Sequence, residues 1–150
     1  MAGYMSGHTH YRYDGLYANG TGAPLYNGML VALTAVTGDD GSKTWQFTLP
    51  AANKGVFNVV RQRNVFEDTP GIEVEVVDDG DLYLVENLIL TNDSNESWNG
   101  AEWAVADGQL IRAHKLHTAE YFVTDQLAAA LNTYAVGDTL KSAATGKLTA

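Results

Sequence analysis

Four histidines form two close pairs along the chain, and such pairs can supply imidazole ligands to a metal ion. His8 and His10 are two residues apart, and His114 and His117 are three residues apart. In a strand, positions 114 and 117 point to opposite faces, so that pair would need a bend in the backbone to meet at one ion. We therefore interpret both pairs as surface or interface residues, and we expect no metal site and no cofactor.

A cluster of three carboxylates at Asp78, Asp79 and Asp81 could bind calcium, which takes several oxygens from a short loop. The spacing differs from that of the EF-hand loop, and a tight turn uses the same residue types. We interpret the cluster as a turn on a solvated acidic face. A cation site or a docking surface for a basic partner is the alternative.

The residue types that nucleophilic catalysis needs are missing or lie in unsuitable settings. The chain has no cysteine, which excludes thiol nucleophiles, thiolate zinc sites and disulfide frameworks. No Gly-x-Ser-x-Gly elbow is present, and Gly20-Thr-Gly22 is followed by Ala-Pro rather than by a helix that could hold a phosphate. We therefore expect that the protein is not an enzyme.

Two tryptophans in an Asn- and Gly-rich stretch could stack on sugar rings. Trp98 and Trp103 lie in the segment Glu-Ser-Trp-Asn-Gly-Ala-Glu-Trp. As an alternative, Trp103 is a core residue of its strand and Trp98 covers one end of a barrel. The first interpretation predicts a carbohydrate- or receptor-binding β-module.

The charge of the chain is strongly negative and unevenly distributed. Eighteen Asp and Glu oppose nine Lys and Arg, for a formal net charge of -9, and twelve of the acids lie between Arg63 and Arg112. Binding to nucleic acid or to an anionic membrane needs clustered cations, so we expect neither partner. No apolar run is long enough to span a membrane, and the first residues lack the pattern of a secretory signal, so we expect synthesis in the cytoplasm.

Turn clusters and alternating apolar residues predict strands from residue 29 onward. Trp45, Phe47 and Leu49 alternate with polar residues, which predicts one buried face. The alternation over residues 72–76 places Glu73 and Glu75 on the solvent face. The turn at residues 78–81 and the Asp-Gly at residues 107–108 each predict a β-hairpin.

One short helix is predicted near the C-terminus, and an arm at the N-terminus. Asp125 can cap a helix over residues 126–132, whose apolar residues recur at helical spacing. Residues 1–28 are rich in Gly and Tyr and show neither strand nor helix periodicity, so we predict an extended arm followed by a β-rich domain over residues 29–150. The predicted fold is mainly β, a small barrel or sandwich with one short helix and this extended N-terminal arm.

Three separated segments resemble small capsid decoration (head cement) proteins of tailed bacteriophages. Residues 24–31 read Pro-Leu-Tyr-Asn-Gly-Met-Leu-Val, similar to the segment that opens the folded part of those proteins. Val-Gly-Asp-Thr-Leu at residues 136–140, followed by Gly-Lys-Leu-Thr at residues 146–149, resembles their ending. Residues 111–116 and 120–124 are similar to the paired strands that precede it.

This resemblance implies a structural virion protein that binds the outside of an assembled phage head and clamps neighbouring capsid subunits. It implies the major capsid protein as partner, a homo-oligomer such as a trimer, and a final location on the outer capsid surface. Such proteins use extended termini as clamps, so we predict that the aromatic residues of the arm contact the partner: Tyr4, Tyr11, Tyr13 and Tyr17.

Overall fold

The part of the chain that a computed structural model describes, residues 3–6, 12–18, 23–66, 69–86, 104–105 and 108–150, consists mainly of β-strands. The strands are β1 Gly3–Ser6, β2 Arg12–Tyr17, β3 Leu25–Tyr26, β4 Leu30–Thr37, β5 Lys43–Thr48, β6 Val56–Phe66, β7 Thr69–Asp78, β8 Leu82–Val85, β9 Ala104–Val105, β10 Leu110–Lys115, β11 Tyr121–Thr124, β12 Thr139–Ser142 and β13 Leu148–Thr149. No helix of the described residues is long and apolar enough to cross a membrane.

Five of these strands close a barrel in the order β10-β2-β5-β4-β8. Its neighbouring strands are antiparallel except β2 and β5, which run parallel. A second, antiparallel sheet has the order β1-β11-β7-β6-β12-β13, and β3 pairs with β9. The predicted mainly-β class is confirmed, and of the two predicted architectures the structure shows the barrel.

The barrel encloses one hydrophobic core, and its wall contributes to another. Strand β8 contributes to both cores, because all four of its residues are buried. Tyr83 and Val85 belong to the cluster inside the barrel, whereas Leu82 and Leu84 belong to the cluster between the barrel wall and the six-stranded sheet. A strand covered on both faces is a continuous apolar run, as the sequence Leu-Tyr-Leu-Val is here.

The second core joins the two sheets. The residues that the six-stranded sheet contributes to it are buried and apolar: Phe57, Val59, Ile72, Val74, Val76, Phe122, Leu140 and Leu148. Phe57 and Phe122 meet edge to face, with ring centroids 5.7 Å apart. We call this cluster the closed core.

The acidic turn at residues 78–81 forms as predicted, but it does not close a hairpin. The Leu82 amide donates to the Asp79 carbonyl at 3.0 Å, and the Asp78 carboxylate accepts from the Gly80 amide at 3.0 Å. The turn leads from β7 in the six-stranded sheet to β8 in the barrel. The predicted hairpin is therefore wrong, because both strands find their partners elsewhere in the chain.

The hairpin predicted at residues 107–108 is likewise replaced by long-range pairing. β9 pairs with β3, and β10 pairs with β2 and β8. The Gly108 amide donates to the Tyr17 carbonyl at 2.8 Å, a contact with distant β2. Turn-forming residues predict only the turn. Which strands pair depends on which distant segments bury their apolar side chains together.

The predicted helix over residues 126–132 shrinks to one 3-10 turn at Leu131–Thr133. The segment before it is bound to β13: Leu148 donates its amide to the Gln126 carbonyl at 3.0 Å and accepts from the Ala128 amide at 2.8 Å. A short helix must offset the cost of its first turn, and these amide and carbonyl groups are already paired.

Glu73 is not on the solvent face, which corrects the alternation over residues 72–76. Ile72 and Val74 are buried as predicted, yet Glu73 on the other face is also buried. Its carboxylate accepts hydrogen bonds from Arg63 at 2.8 Å and from Arg61 at 3.2 and 3.3 Å. Burial opposes ionisation of this carboxyl, but the two arginines outweigh it and hold the pKa of Glu73 below its ordinary value.

Candidate functional site

The barrel opens where its one parallel strand pair separates. β2 and β5 are paired only at Leu16 with Gln46 and at Tyr17 with Phe47, whereas β2 and β10 remain paired over five residues. The gap holds a cavity of about 300 Å³. We call it the barrel mouth, and its lining residues are Tyr13, Asp14, Gly15, Leu33, Trp45 and Phe47.

A projecting hairpin holds Trp45 over the mouth. Pairing of β4 with β8 ends at Ala32, while pairing of β4 with β5 continues to Thr37 and Lys43. The β4–β5 hairpin therefore runs past the barrel wall, and the Trp45 side chain is 62% exposed. The strand pattern predicted one buried face for Trp45 and Phe47, and only the second of these is buried.

The tip of this hairpin is fixed by its own hydrogen bonds. The Gly38 amide donates to the Ser42 carbonyl at 2.7 Å, which closes the turn. The Asp40 carboxylate accepts from the Ser42 hydroxyl at 2.6 Å and from the Ser42 amide at 3.0 Å, and these bonds lower the pKa of Asp40. Trp45 thus projects from a hairpin with a defined turn.

A chain of aromatic rings runs from inside the barrel to the mouth. Phe47 and Tyr83 meet at 5.4 Å between centroids and 74° between planes, and Tyr83 and Tyr13 meet at 5.6 Å and 89°. Edge-to-face pairs of this kind are favoured by the ring quadrupoles. Exposure rises along the chain from Phe47, which is buried, through Tyr83 at 7% to Tyr13 at 42%.

Gly15 lets the Phe47 ring lie directly against β2 at the base of the mouth. A Cβ atom on residue 15 would stand 2.8 Å from Phe47 Cε2 and 2.9 Å from its Cδ2. Those distances are shorter than real carbon contacts, so a side chain there would displace the ring. The apolar base of the mouth depends on this glycine.

The charged groups around the mouth are paired or lie over a ring. Arg112 donates from Nε to Asp14 Oδ1 at 2.8 Å and from Nη2 to Oδ2 at 3.2 Å, and this hydrogen bonding lowers the pKa of Asp14. Lys115 Nζ lies 5.8 Å from the centroid of Tyr83, within cation–π range. Burial raises the pKa of the Tyr83 phenol, against the opposing effect of Lys115.

The four tyrosines predicted as partner contacts have different positions. Tyr13 lies at the barrel mouth. Tyr17 is buried inside the barrel, where its hydroxyl donates to the Ala23 carbonyl at 2.9 Å, so it offers no surface to a partner in this conformation. Tyr4 is in β1, in register with Val123, and Tyr11 lies outside the described residues.

The structure does not gather the remaining sequence candidates into one site. Trp98, Trp103, His8 and His10 lie outside the described residues. The histidines of the other pair have different partners. His114 Nε2 lies 3.1 Å from Glu86 Oε2, whereas His117 Nδ1 lies 3.0 Å from Glu120 Oε1.

The side chain that sequence reasoning missed is Trp45. Its alternation with Phe47 is typical of a strand face that packs on a core. A usable signal is the turn-forming sequence Thr-Gly-Asp-Asp-Gly at residues 37–41, because a residue close to a hairpin tip can lie beyond the ends of the neighbouring strands.

Within the described ranges, no group of three or more His, Asp or Glu side chains is placed to hold a metal ion. The mouth combines exposed aromatic faces with one ion pair, an arrangement suited to binding a ligand. Comparison with known proteins adds no relative: no family model, no curated protein and no solved structure matches this chain.

Proposed function

We propose that this protein is a structural virion component that binds the outside of an assembled bacteriophage capsid and clamps neighbouring capsid subunits. The main support is the way in which separated segments of the chain come together in the fold. The three segments with a resemblance to capsid decoration proteins, far apart in sequence, meet around Gly28–Leu30. The Leu30 amide donates to the Gly146 carbonyl at 2.7 Å, and the Thr124 hydroxyl donates to the Gly28 carbonyl at 2.9 Å.

Gly146 makes this meeting sterically possible. Its φ is +83°, which favours glycine, and a Cβ atom there would stand 2.8 Å from the Leu30 carbonyl oxygen. Leu30 from the opening segment packs in the closed core together with Leu140 and Leu148 from the ending. The segments therefore form one structural unit, which supports reading their three resemblances together.

The contact surface that we propose is the N-terminal segment with Tyr13. β1 forms one edge of the six-stranded sheet, bound to β11 from Gly3 opposite Thr124 to Ser6 opposite Tyr121. Edge strands pair readily with other chains. The partner is the major capsid protein, and a homo-oligomer bound on the outer shell surface is part of the same proposal.

The direct test mixes the purified full chain with empty heads assembled from the major capsid protein of a tailed phage that encodes this chain. The full chain should co-sediment with heads at a fixed ratio. A variant lacking residues 3–6 should keep its barrel and bind at least about tenfold more weakly. The deletion stops before residue 12 because β2 is a wall of the barrel.

Two point variants sharpen this test. Tyr13→Ala should weaken binding to heads, and Leu110→Ala, which removes an apolar side chain 75% exposed elsewhere on the barrel, should not. Failure of the full chain to bind heads would refute the proposal. Full binding by the variant without residues 3–6 would refute the part assigned to β1.

A further inference from the structure

We propose that the barrel mouth is a binding site for a neutral sugar, with a pyranose ring stacked on Trp45. The site was not assigned by the sequence, where Trp98 and Trp103 were the sugar-binding candidates. It does not rest on the proposed capsid role, because a sugar site at the mouth needs neither a shell nor the N-terminal strand.

Two exposed aromatic side chains give the mouth an apolar surface on which a sugar ring can stack. Trp45 and Tyr13 are among the few large apolar side chains of the described residues that are strongly exposed, and both line one cavity. Exposed apolar side chains that are grouped at one cavity are typical of ligand-binding sites, whereas single exposed ones are ordinary. The C–H face of a pyranose is apolar and flat, which matches an indole face.

The ion pair at the mouth favours a neutral ligand. The polar group that lines the mouth is Asp14, and Arg112 neutralises it through two hydrogen bonds. A cationic ligand would have to compete with Arg112, and an anionic ligand would face the Asp14 carboxylate. A neutral ligand with hydroxyl groups can use a carboxylate acceptor and a guanidinium donor together.

The size and shape of the mouth match a small ligand. The cavity of about 300 Å³ is at the small end of ligand sites and has Phe47 as its base beside Gly15. A small open cavity with an apolar base suits one or two sugar rings rather than an extended peptide. The base is preorganised because the Phe47 ring packs edge to face on Tyr83 at 5.4 Å.

The test is calorimetric titration of the full chain with maltose, cellobiose, lactose and diacetylchitobiose. At least one of these neutral disaccharides should bind, and Trp45→Ala should raise its dissociation constant about tenfold or more, the loss expected for one aromatic stack. Trp45→Phe should recover part of the affinity. Leu110→Ala, a matched change at an exposed apolar residue outside the mouth, should leave it unchanged.

Two further variants make the outcome specific. Trp98→Ala should not change the affinity, and its loss of binding with Trp45→Ala unaffected would place the sugar elsewhere and overturn the proposal. Asp14→Asn removes the carboxylate charge from the lining of the mouth, so a uronic-acid disaccharide should gain affinity relative to a neutral one. No heat of binding with any of the four disaccharides would also overturn the proposal, while leaving the capsid role to its own test.

Discussion

The two cores of this protein use the same aromatic geometry with opposite outcomes. In the closed core, Phe57 and Phe122 form an edge-to-face pair that is sealed between the barrel wall and the six-stranded sheet. Inside the barrel, Phe47 and Tyr83 form a similar pair, but the chain of rings continues through Tyr13 into solvent.

The difference arises from strand pairing and not from residue type. The closed core lies between the barrel wall and the six-stranded sheet. The barrel core loses its cover where β2 and β5 separate after two residue pairs and where β4 and β5 outrun β8. Aromatic residues at such a gap keep their apolar character but become available to a ligand.

The largest effect should come from opening the closed core. Phe122→Ala removes a buried ring that packs edge to face on Phe57, and we expect a loss of about 3–5 kcal/mol in the free energy of unfolding. Urea denaturation measures it. A loss below about 1 kcal/mol would contradict the sealed packing of this core.

A smaller loss should follow from filling the base of the barrel mouth. Gly15→Ala places a methyl group 2.8 Å from Phe47 Cε2, and overpacking of this kind costs about 1–3 kcal/mol. The double variant Gly15→Ala with Phe47→Leu should lose less than the sum of the single losses, since the clash is removed. Additive losses in the same denaturation assay would show that the ring is not held against β2.

Much of the strand content could be predicted, because alternation reports burial directly. Ile72, Val74 and Val76 lie in the closed core as their spacing required. Strand partners could not be predicted in the same way. The turns at residues 78–81 and 107–108 look like hairpin turns, yet each leads from one sheet to another because distant strands compete for pairing.

The candidate site was visible only in part for the same reason. Tyr13 was predicted to contact a partner as part of the aromatic arm, but the same prediction was made for Tyr17, four residues on, which is buried. Trp45 and Phe47 follow one periodicity and end with opposite exposure. Sequence periodicity assigns a face of the strand, while exposure depends on where the neighbouring strands end.

The outer face of the six-stranded sheet gives a pH-dependent contrast with both cores. Glu73 has a pKa lower in the folded than in the unfolded chain, so its ionised form stabilises the fold above the unfolded-state pKa, and this contribution is lost as pH falls through the folded-state value. Glu73→Gln should therefore cost about 1–2 kcal/mol at neutral pH and much less in acid. Denaturation curves of both proteins at several pH values measure it, and a cost that does not change with pH would contradict the ion-pair account.

The smallest effect on stability should come from Trp45, the residue to which we assign the sugar stack. Trp45→Ala removes a side chain 62% exposed, so the free energy of unfolding should change by less than about 0.5 kcal/mol. Urea denaturation beside Phe122→Ala gives the comparison within one assay. A loss similar to that of Phe122→Ala would mean that Trp45 is part of a core.

Our model of the protein requires the barrel to be open at the end where Trp45 lies. Fluorine NMR of protein labelled with fluorotryptophan can measure this directly. Trp45→Phe identifies the resonance of residue 45 by its disappearance. We predict that this resonance is strongly broadened by a soluble paramagnetic agent, and that saturating disaccharide protects it. A Trp45 resonance that the agent does not broaden in the free protein would contradict the open mouth and the account built on it.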